Sequence, residues 1–287
     1  MIRSFLFVPA DSERKLLKAS DSGADALILD LEDAVAADAR PRARGLAREY
    51  IAGKKNAGNK NIWVRINPFD SDDAKADIEA VMPSAPTGIV LPKPASAATA
   101  IALAETLTAC EEEHGIEAQS TKILPLCTEQ AAAIFTLQSY IGATSRLAGL
   151  SWGAEDLSAD VGATTHRDAA GNWLPTYELA RSLCLLAATA AEVAAIDTVF
   201  TDFRNTEGLR NYASNARRDG FSGMLAIHPA QIEIINAAFM PSEKEIQEAR
   251  RIVALFADNP GAGAIGMDGR MIDRPHLLQA QRLLDVT

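Results

Sequence analysis

Short apolar runs alternate with amphipathic, alanine-rich segments along the whole chain. Eight of the runs are continuous rather than alternating, which is typical of parallel strands that are buried on both faces. They lie at residues 5–8, 26–31, 62–66, 88–91, 123–127, 147–152, 198–200 and 223–227. The pattern therefore predicts eight strands in an α/β fold.

Helical patterns separate these runs. Apolar residues recur at helical spacing at residues 11–20, 39–51, 97–114, 129–140, 176–195 and 205–218. A regular succession of strand and helix favours a closed (β/α)8 TIM barrel over an open sheet. The sequence has no internal repeat and no second large domain.

The C-terminal part has a different pattern. A helix at 229–240 precedes a longer helix at 243–258, at whose start Ser242 and Glu245 have the spacing of a capping box. A glycine-rich linker at 259–266 leads to a tail and a last helix at 276–284. We predict a barrel domain over 1–258 and a C-terminal flap over 259–287, which either closes over the barrel mouth as a lid or docks on a neighbouring subunit.

Composition narrows the class of protein. Of the 287 residues 48% are hydrophobic, and the formal net charge of −10 argues against a nucleic-acid or anionic-membrane surface. No apolar run reaches the roughly 18 residues of a membrane span. Cys110, Cys127 and Cys184 show no paired spacing, and the N-terminal apolar run is too short for a signal peptide. We therefore expect reduced thiols and a cytoplasmic protein.

Charged and polar residues gather at the C-terminal ends of the predicted strands. This asymmetry is expected when an active site lies at the carboxyl rim of a barrel, whereas polar loops in general would explain only one or two such residues. The set consists of Asp30, Glu32, Asp33, Arg65, Asn67, Lys93, Glu129, Asp156, Asp202, Arg204 and His228.

Two of these carboxylates indicate a metal site. Glu129 follows the fifth run, and Asp156 follows the sixth through Gly153. If the two runs are neighbouring parallel strands, their carboxylates converge on one point. Two hard oxygen ligands with room for water and substrate suit Mg²⁺, or Mn²⁺ in its place.

Several motifs in a fixed order carry a resemblance to a known family. They are Arg3-Ser-Phe-Leu-Phe-Val-Pro9, Leu29-Asp-Leu-Glu-Asp-Ala-Val35, Val64-Arg-Ile-Asn67, Leu91-Pro-Lys93, Thr128-Glu129, the segment 149–160, His228-Pro-Ala-Gln-Ile232 and Met271-Ile-Asp-Arg-Pro275. Over its full length the chain resembles the citrate lyase β-subunit-like CoA-ester lyases of the HpcH/HpaI aldolase family. The resemblance implies a (β/α)8 barrel, a homotrimer or hexamer, a divalent metal, and carbon–carbon bond cleavage or formation on an acyl thioester.

The resemblance also implies roles for individual residues. It makes Glu129 and Asp156 the metal ligands, with Glu129 also facing the substrate, and Arg65 the partner of the substrate carboxylate. It places Glu32 and Asp33, with Arg65, in the catalytic set. Asp273 matches a tail aspartate that members of the family deliver into a neighbouring subunit's site, where it is a candidate acid or base. The Cys-Thr before Glu129 and the Ala-Asp after Pro9 depart from the usual pattern, which puts the acyl specificity in doubt.

Structural interpretations stay open beside these roles. Glu129 has the position of an acid at a helix N-terminus, and Arg65 is placed to form an ion pair with Asp30 or Glu32. The acidic pair could serve as orienting groups or caps, and Asp273 as a turn residue before a proline. His228 fits a hydrogen-bonded barrel histidine better than a base. For Lys93 an electrostatic role is favoured over a Schiff base.

The leading functional hypothesis is a Mg²⁺-dependent lyase that acts on a 3-hydroxyacyl-CoA such as malyl-CoA or citramalyl-CoA. It cleaves this thioester into an acyl-CoA and a 2-keto acid, or forms it from them. The alternatives are the β subunit of a citrate lyase complex, a malyl-CoA thioesterase or malate-synthase-like activity, and an aldolase of free keto acids. A non-catalytic binding protein fits least, because the ligands and the arginine are all present.

Overall fold

The computed structural model describes residues 2–56 and 61–285. Residues 1, 57–60 and 286–287, which belong to the predicted barrel and flap segments, lie outside the described residues. Among those described, no helix combines the length and the apolar character needed to cross a bilayer.

Eight parallel strands form one sheet that closes on itself. They are β1 (Ser4–Pro9), β2 (Ala26–Asp30), β3 (Ile62–Arg65), β4 (Gly88–Leu91), β5 (Lys122–Pro125), β6 (Gly149–Ser151), β7 (Ala194–Asp197) and β8 (Gly223–Ala226). β1 pairs with both β2 and β8, and the sheet runs from β5 through β1 to β6. Two further parallel bridges, Ile123 with Leu147 and Leu126 with Ser151, join β5 to β6. The predicted α/β TIM barrel is confirmed.

The barrel interior is filled by apolar side chains from alternating strand positions. Phe5, Ile28, Trp63, Val90 and Leu225 are among the buried residues of this cluster. The rings of Phe5 and Trp63 meet edge to face, with centroids 5.7 Å apart. Because the core is packed, the barrel is not a pore, and chemistry is confined to its rims.

Eleven α-helices follow or flank the strands in the described chain. They are α1 (Glu13–Ser20), α2 (Arg40–Asn56), α3 (Asp72–Val81), α4 (Ala97–His114), α5 (Ala131–Ile134), α6 (Ala154–Asp160), α7 (Pro175–Ala190), α8 (Thr206–Asp219), α9 (Ile232–Ala238), α10 (Glu243–Asp258) and α11 (Arg274–Asp285). Ser71, Ser96 and Asn205 cap α3, α4 and α8 by accepting backbone N–H bonds, which explains where these helices begin.

The prediction was wrong for the seventh strand. The expected run at 198–200 is irregular, and the strand lies four residues earlier, at Ala194–Asp197. The two alanines at the start of β7 continue the alanine-rich pattern of α7, so the predicted helix extended to residue 195. In the structure α7 ends at Ala190, and the chain turns through Glu192 with a φ of 57°. The predicted helix at 129–140 is also only the short α5 and a 3-10 turn at Leu137–Tyr140.

A buried ion pair ties α4 to the chain that enters β6. The Arg146 guanidinium donates to both carboxylate oxygens of Glu111, at 2.8 and 2.7 Å. Burial alone would raise the pKa of Glu111, but the hydrogen bonds from Arg146 and from backbone amides lower it to about 2. This carboxylate is therefore ionised at neutral pH and helps to set the entry of β6.

The chain divides into two compact units, Ile2–Asn236 and a second one from Ala237 onward. In the second unit α10 and α11 pack with a hairpin of β9 (Ala264–Met267) and β10 (Arg270–Asp273) around Ile252, Phe256 and Ile272. The predicted capping box of Ser242 and Glu245 is confirmed. The hairpin lies where the sequence analysis expected a flexible linker and tail. Its turn is Asp268-Gly269, and both residues have positive φ, the dipeptide typical of a tight hairpin.

Candidate active site

A cavity of about 370 Å³ opens at the carboxyl rim of the barrel. Its lining combines carboxylates and one arginine with apolar side chains such as Phe7 and Leu126. The polar lining comes from Asp30, Asp33, Arg65, Glu129, Glu155 and Asp156. A larger cavity of about 410 Å³, lined mainly by apolar and backbone groups near Ile62 and Ile116, lacks such a set. The rim cavity is therefore the candidate active site.

Arg65 lies at the end of β3 and is held by two acids. Its Nε and Nη2 donate to the two oxygens of Asp30, at 2.8 and 2.7 Å. Its Nη1 lies 2.8 Å from Glu32 Oε2, and Phe7 stacks against the guanidinium. Burial alone would lower the pKa of Arg65, but Asp30 and Glu32 raise it, so the group is cationic at every relevant pH. The ion pair of Arg65 with Asp30 or Glu32, which the sequence left open beside a substrate contact, is thus present with both acids.

Lys93 follows β4 and contacts most of the acids at the rim. Its Nζ lies 2.6 Å from Glu32 Oε1, 3.3 Å from Asp33 and 3.2 Å from Asp156 Oδ1. Burial opposes its charge, but Glu32, Asp156 and Asp33 raise the pKa of the ammonium. The sequence placed Lys93 at the rim but did not include it in the candidate site. The available signals were its position after a strand and the Leu91-Pro-Lys93 motif.

Glu129 is buried, with 3% of its surface exposed. Its Oε2 accepts the backbone N–H of Lys93 at 2.7 Å. Burial, together with the nearby charges of Asp156 and Glu32, raises the pKa of Glu129 to about 8. Gly153 lies against this side chain so closely that a Cβ there would come 2.6 Å from Glu129 Cγ. The carboxylate is thus confined between the β4 loop and the β6 loop.

Asp156 comes from the next loop along the rim. It lies in the first turn of α6, where the helix dipole favours a negative charge. Its side chain is 30% exposed, and the Lys93 ammonium contacts one of its oxygens. Its neighbour Glu155 pairs with His166 at 3.3 Å.

The structure brings five of the six predicted site residues to this rim: Glu32, Asp33, Arg65, Glu129 and Asp156. The sixth, Asp273, ends β10 in the second unit, where its carboxylate contacts His276 Nδ1. His228 caps the next helical turn, because its Nδ1 accepts the Ala230 N–H at 3.1 Å. Its expected structural role is consistent with this bond.

Asp197, at the end of β7, is a buried acid that the sequence analysis missed because it misplaced that strand. Its carboxylate accepts hydrogen bonds from Trp152 Nε1 at 2.7 Å and from Tyr212, and pairs with Arg181. Trp152 lines the rim cavity. Asp197 therefore acts on the site by holding Trp152 in place.

The donor set at the rim fits a divalent cation. In the described chain no group of three or more His, Cys, Asp or Glu residues forms a complete metal cluster. Glu129 and Asp156 nevertheless offer carboxylate oxygens beside one cavity, and their mutual repulsion contributes to the raised pKa of Glu129. A hard cation between them would relieve this repulsion and leave coordination positions open.

The sequence is similar to one protein family and to several of its characterised members. Residues 3–229 match the family model described as HpcH/HpaI aldolase/citrate lyase. The chain is 36% identical over 284 residues to the citrate lyase subunit beta of Leuconostoc mesenteroides subsp. cremoris, covering 98% of this chain and 92% of that one. It is 35% identical over 285 residues to a (3S)-malyl-CoA thioesterase of Cereibacter sphaeroides, covering 98% and 93%.

Solved structures are similar over most of the chain. Protein CitE from Mycobacterium tuberculosis in complex with magnesium, acetoacetate and coenzyme A matches with a TM-score of 0.82 and 34% identity, covering 99% of this chain and 97% of that one. The citrate lyase beta subunit of the same organism, complexed with oxaloacetate and magnesium, matches with a TM-score of 0.70 and 34% identity, covering 83% and 96%.

Proposed function

Since the chain belongs to the HpcH/HpaI aldolase/citrate lyase family, it is a carbon–carbon lyase that acts on thioesters, and we propose that its substrate is a 3-hydroxyacyl-CoA such as malyl-CoA or citramalyl-CoA. Cleavage gives an acyl-CoA and a 2-keto acid, and the reverse reaction forms the bond. The observation that carries this proposal is the meeting of Glu129, Asp156 and Arg65 at one cavity.

Glu129 and Asp156 are the proposed ligands of Mg²⁺, for which Mn²⁺ can substitute. This assignment is supported by their convergence and by the magnesium in the CitE complexes. When bound, the cation supplies Lewis acidity, which lowers the pKa of a substrate hydroxyl and neutralises developing charge. Glu129 also lines the cavity that would receive the substrate.

Arg65 is the proposed partner of the substrate carboxylate. Asp30 and Glu32 fix the plane of its guanidinium, so the orientation is set before a ligand arrives. A planar fork suits a carboxylate in a way that a lysine does not. Glu32 and Asp33 take part in catalysis by holding Arg65 and Lys93 at the rim, a positioning role that their contacts support.

Asp273 is the proposed acid or base at the enolate carbon. Its assignment rests on the Met-Ile-Asp-Arg-Pro motif at 271–275 and on the fold of the hairpin, which ends at this residue. We propose that the second unit brings Asp273 to the site of a neighbouring subunit in a homotrimer or hexamer. The free cysteines, two of which are buried, favour a cytoplasmic enzyme.

The experiment is an assay of the purified protein with a panel of 3-hydroxydicarboxyl-CoA esters and Mg²⁺. Liquid chromatography with mass detection would follow the keto acid and the acyl-CoA. We expect both products in equal amounts from at least one ester. Absence of a keto acid from every ester would refute the proposal.

A second candidate is thioester hydrolysis, which the similarity to a (3S)-malyl-CoA thioesterase favours. Here water attacks the acyl carbon in the same cavity. Release of free CoA without a keto acid in the same assay would identify it.

Similarity to citrate lyase subunits beta favours a third candidate, in which a carrier protein presents the thioester. Activity of the isolated chain on free CoA esters would speak against it.

A further inference from the structure

Six carboxylates line or adjoin the rim of the active-site cavity, although the proposed cation takes only two of them. They are Asp30, Glu32, Asp33, Glu129, Glu155 and Asp156. Mg²⁺ accepts up to six oxygens, and each additional carboxylate raises affinity at the expense of water and substrate. The site therefore needs a means of keeping the other four away from the cation. Glu155 is paired with His166.

Two cations of the chain occupy the oxygens of the other acids. Arg65 donates to both oxygens of Asp30 and lies 2.8 Å from Glu32 Oε2. Lys93 Nζ lies 2.6 Å from Glu32 Oε1 and 3.3 Å from Asp33 Oδ2. Each oxygen of Glu32 thus faces one cation: Oε1 accepts a hydrogen bond from Lys93, and Oε2 is in ion-pair contact with Arg65. Removal of Lys93 alone would free Oε1.

Lys93 adopts a conformation that is costly for a lysine. Its φ is 49°, in the left-handed region, and it stands between Pro92 and Pro94. In this conformation its backbone N–H reaches Glu129 Oε2 while its ammonium reaches Glu32 and Asp156. Strained backbone at a cavity is retained where the surroundings require it.

We propose that Lys93 is a positioning residue that withholds Glu32 from the divalent cation, so that the cation binds Glu129 and Asp156 and keeps its remaining coordination positions for water and substrate. This inference rests on the proposed function, because it takes Glu129 and Asp156 as the ligands. It goes further in assigning a role to Lys93.

The test uses Mg²⁺ and Mn²⁺ alone, with no thioester. Isothermal titration calorimetry measures Mg²⁺ affinity for the wild type, Lys93→Met, Lys93→Arg and Lys75→Met, the last being the same change at an exposed lysine. Water-proton relaxation on bound Mn²⁺ counts the waters that the ion retains. Lys93→Gly is the second variant should Lys93→Met fail to fold, because glycine adopts positive φ without strain.

We expect Lys93→Met to bind Mg²⁺ about tenfold more tightly, because a repelling charge is lost and Glu32 is freed. Its bound Mn²⁺ should retain fewer waters, and kcat at saturating Mg²⁺ should fall. Lys93→Arg, which keeps the charge, should stay within about twofold of the wild type, as should Lys75→Met. Unchanged or weaker Mg²⁺ binding by Lys93→Met, or an unchanged water count on its bound Mn²⁺, would overturn this inference. Neither result would overturn the proposed function. A wild type that binds no Mg²⁺ would overturn the proposed function as well.

Discussion

At the scale of single residues, Arg65 combines two roles that the sequence analysis treated as alternatives. Asp30 and Glu32 hold the guanidinium, yet the group still lines the cavity. An arginine that is already paired is preorganised, since its orientation costs no reorganisation when a ligand binds. The ion pair therefore supports the proposed contact with substrate.

Arg65→Lys tests this preorganisation. A lysine keeps the charge but loses the fork to Asp30, so we expect kcat/KM to fall by about 30- to 1,000-fold, or ~2–4 kcal/mol of transition-state binding. Steady-state kinetics on the thioester would measure the change. Arg251→Lys, at an exposed ion pair with Asp268, is the matched control. Equal kcat/KM for Arg65→Lys and wild type would exclude a role in the reaction.

The raised pKa of Glu129 predicts the pH dependence of stability. Its folded value of about 8 lies above the ordinary 4.5, so the folded, metal-free protein keeps a proton that the unfolded chain has lost. The contribution of Glu129 to the free energy of unfolding is therefore fully present below pH about 4.5 and is lost as pH rises to about 8. Because Mg²⁺ binds the ionised form, the rise in Tm on adding Mg²⁺ should grow between about pH 6 and 9.

Differential scanning fluorimetry with and without Mg²⁺ would measure this dependence. The Glu129→Gln variant, which cannot ionise at this position, should show little gain in Tm at any pH. A gain in the wild type that is the same at low and high pH would contradict the assigned pKa.

At the scale of elements, the loop between β6 and α6 shapes the site through Gly153. This glycine lets the loop pass against Glu129, where a Cβ would come 2.6 Å from Cγ and 2.9 Å from Oε1. A side chain at this position would have to move either the loop, with Asp156, or Glu129 itself.

Gly153→Ala should therefore weaken Mg²⁺ binding by about tenfold or more, because it separates the two proposed ligands by tenths of an ångström. Calorimetric titration with Mg²⁺ would measure it. Gly45→Ala in α2 is the control, since no atom lies within 4 Å of an added Cβ there. The prediction fails if both alanine variants bind Mg²⁺ like the wild type.

Hydrophobic pattern alone identified elements whose strands are rich in branched residues, such as β2 and β3. It misplaced β7, because alanine carries no strong strand preference and the preceding helix is also rich in alanine. It missed β9 and β10, which are four residues each and flank an Asp-Gly turn. Glu129 and Asp156 were identifiable because each comes a few residues after a strand. The contacts of Lys93 with three acids could not be predicted, because they depend on a left-handed backbone conformation that the sequence pattern does not indicate.

At the scale of the whole molecule, the proposed catalytic residues are distributed over the two compact units. Glu129 and Asp156 belong to the first unit, and Asp273 belongs to the second. The proposal that Asp273 acts in a neighbouring subunit gives a specific expectation for mixed oligomers.

Glu129→Gln and Asp273→Asn should each be inactive alone. After denaturation together and refolding as a mixture, about a quarter of the sites would combine an intact Glu129 with an intact Asp273 from a neighbour, so about a quarter of wild-type activity should return. Analytical ultracentrifugation would establish that mixed oligomers form. No recovery in such oligomers would place Asp273 in its own subunit's site or outside catalysis.

In the proposed function Glu129 and Asp156 bind a divalent cation, and the substrate fragment on that cation also contacts Arg65. Anomalous diffraction from crystals grown with Mn²⁺ and a 2-keto acid tests it most directly. We expect a single anomalous peak bound by Glu129 and Asp156, with the keto acid chelating the ion and its carboxylate on Arg65. A peak elsewhere, or carboxylates that point away from each other around an empty cavity, would contradict it.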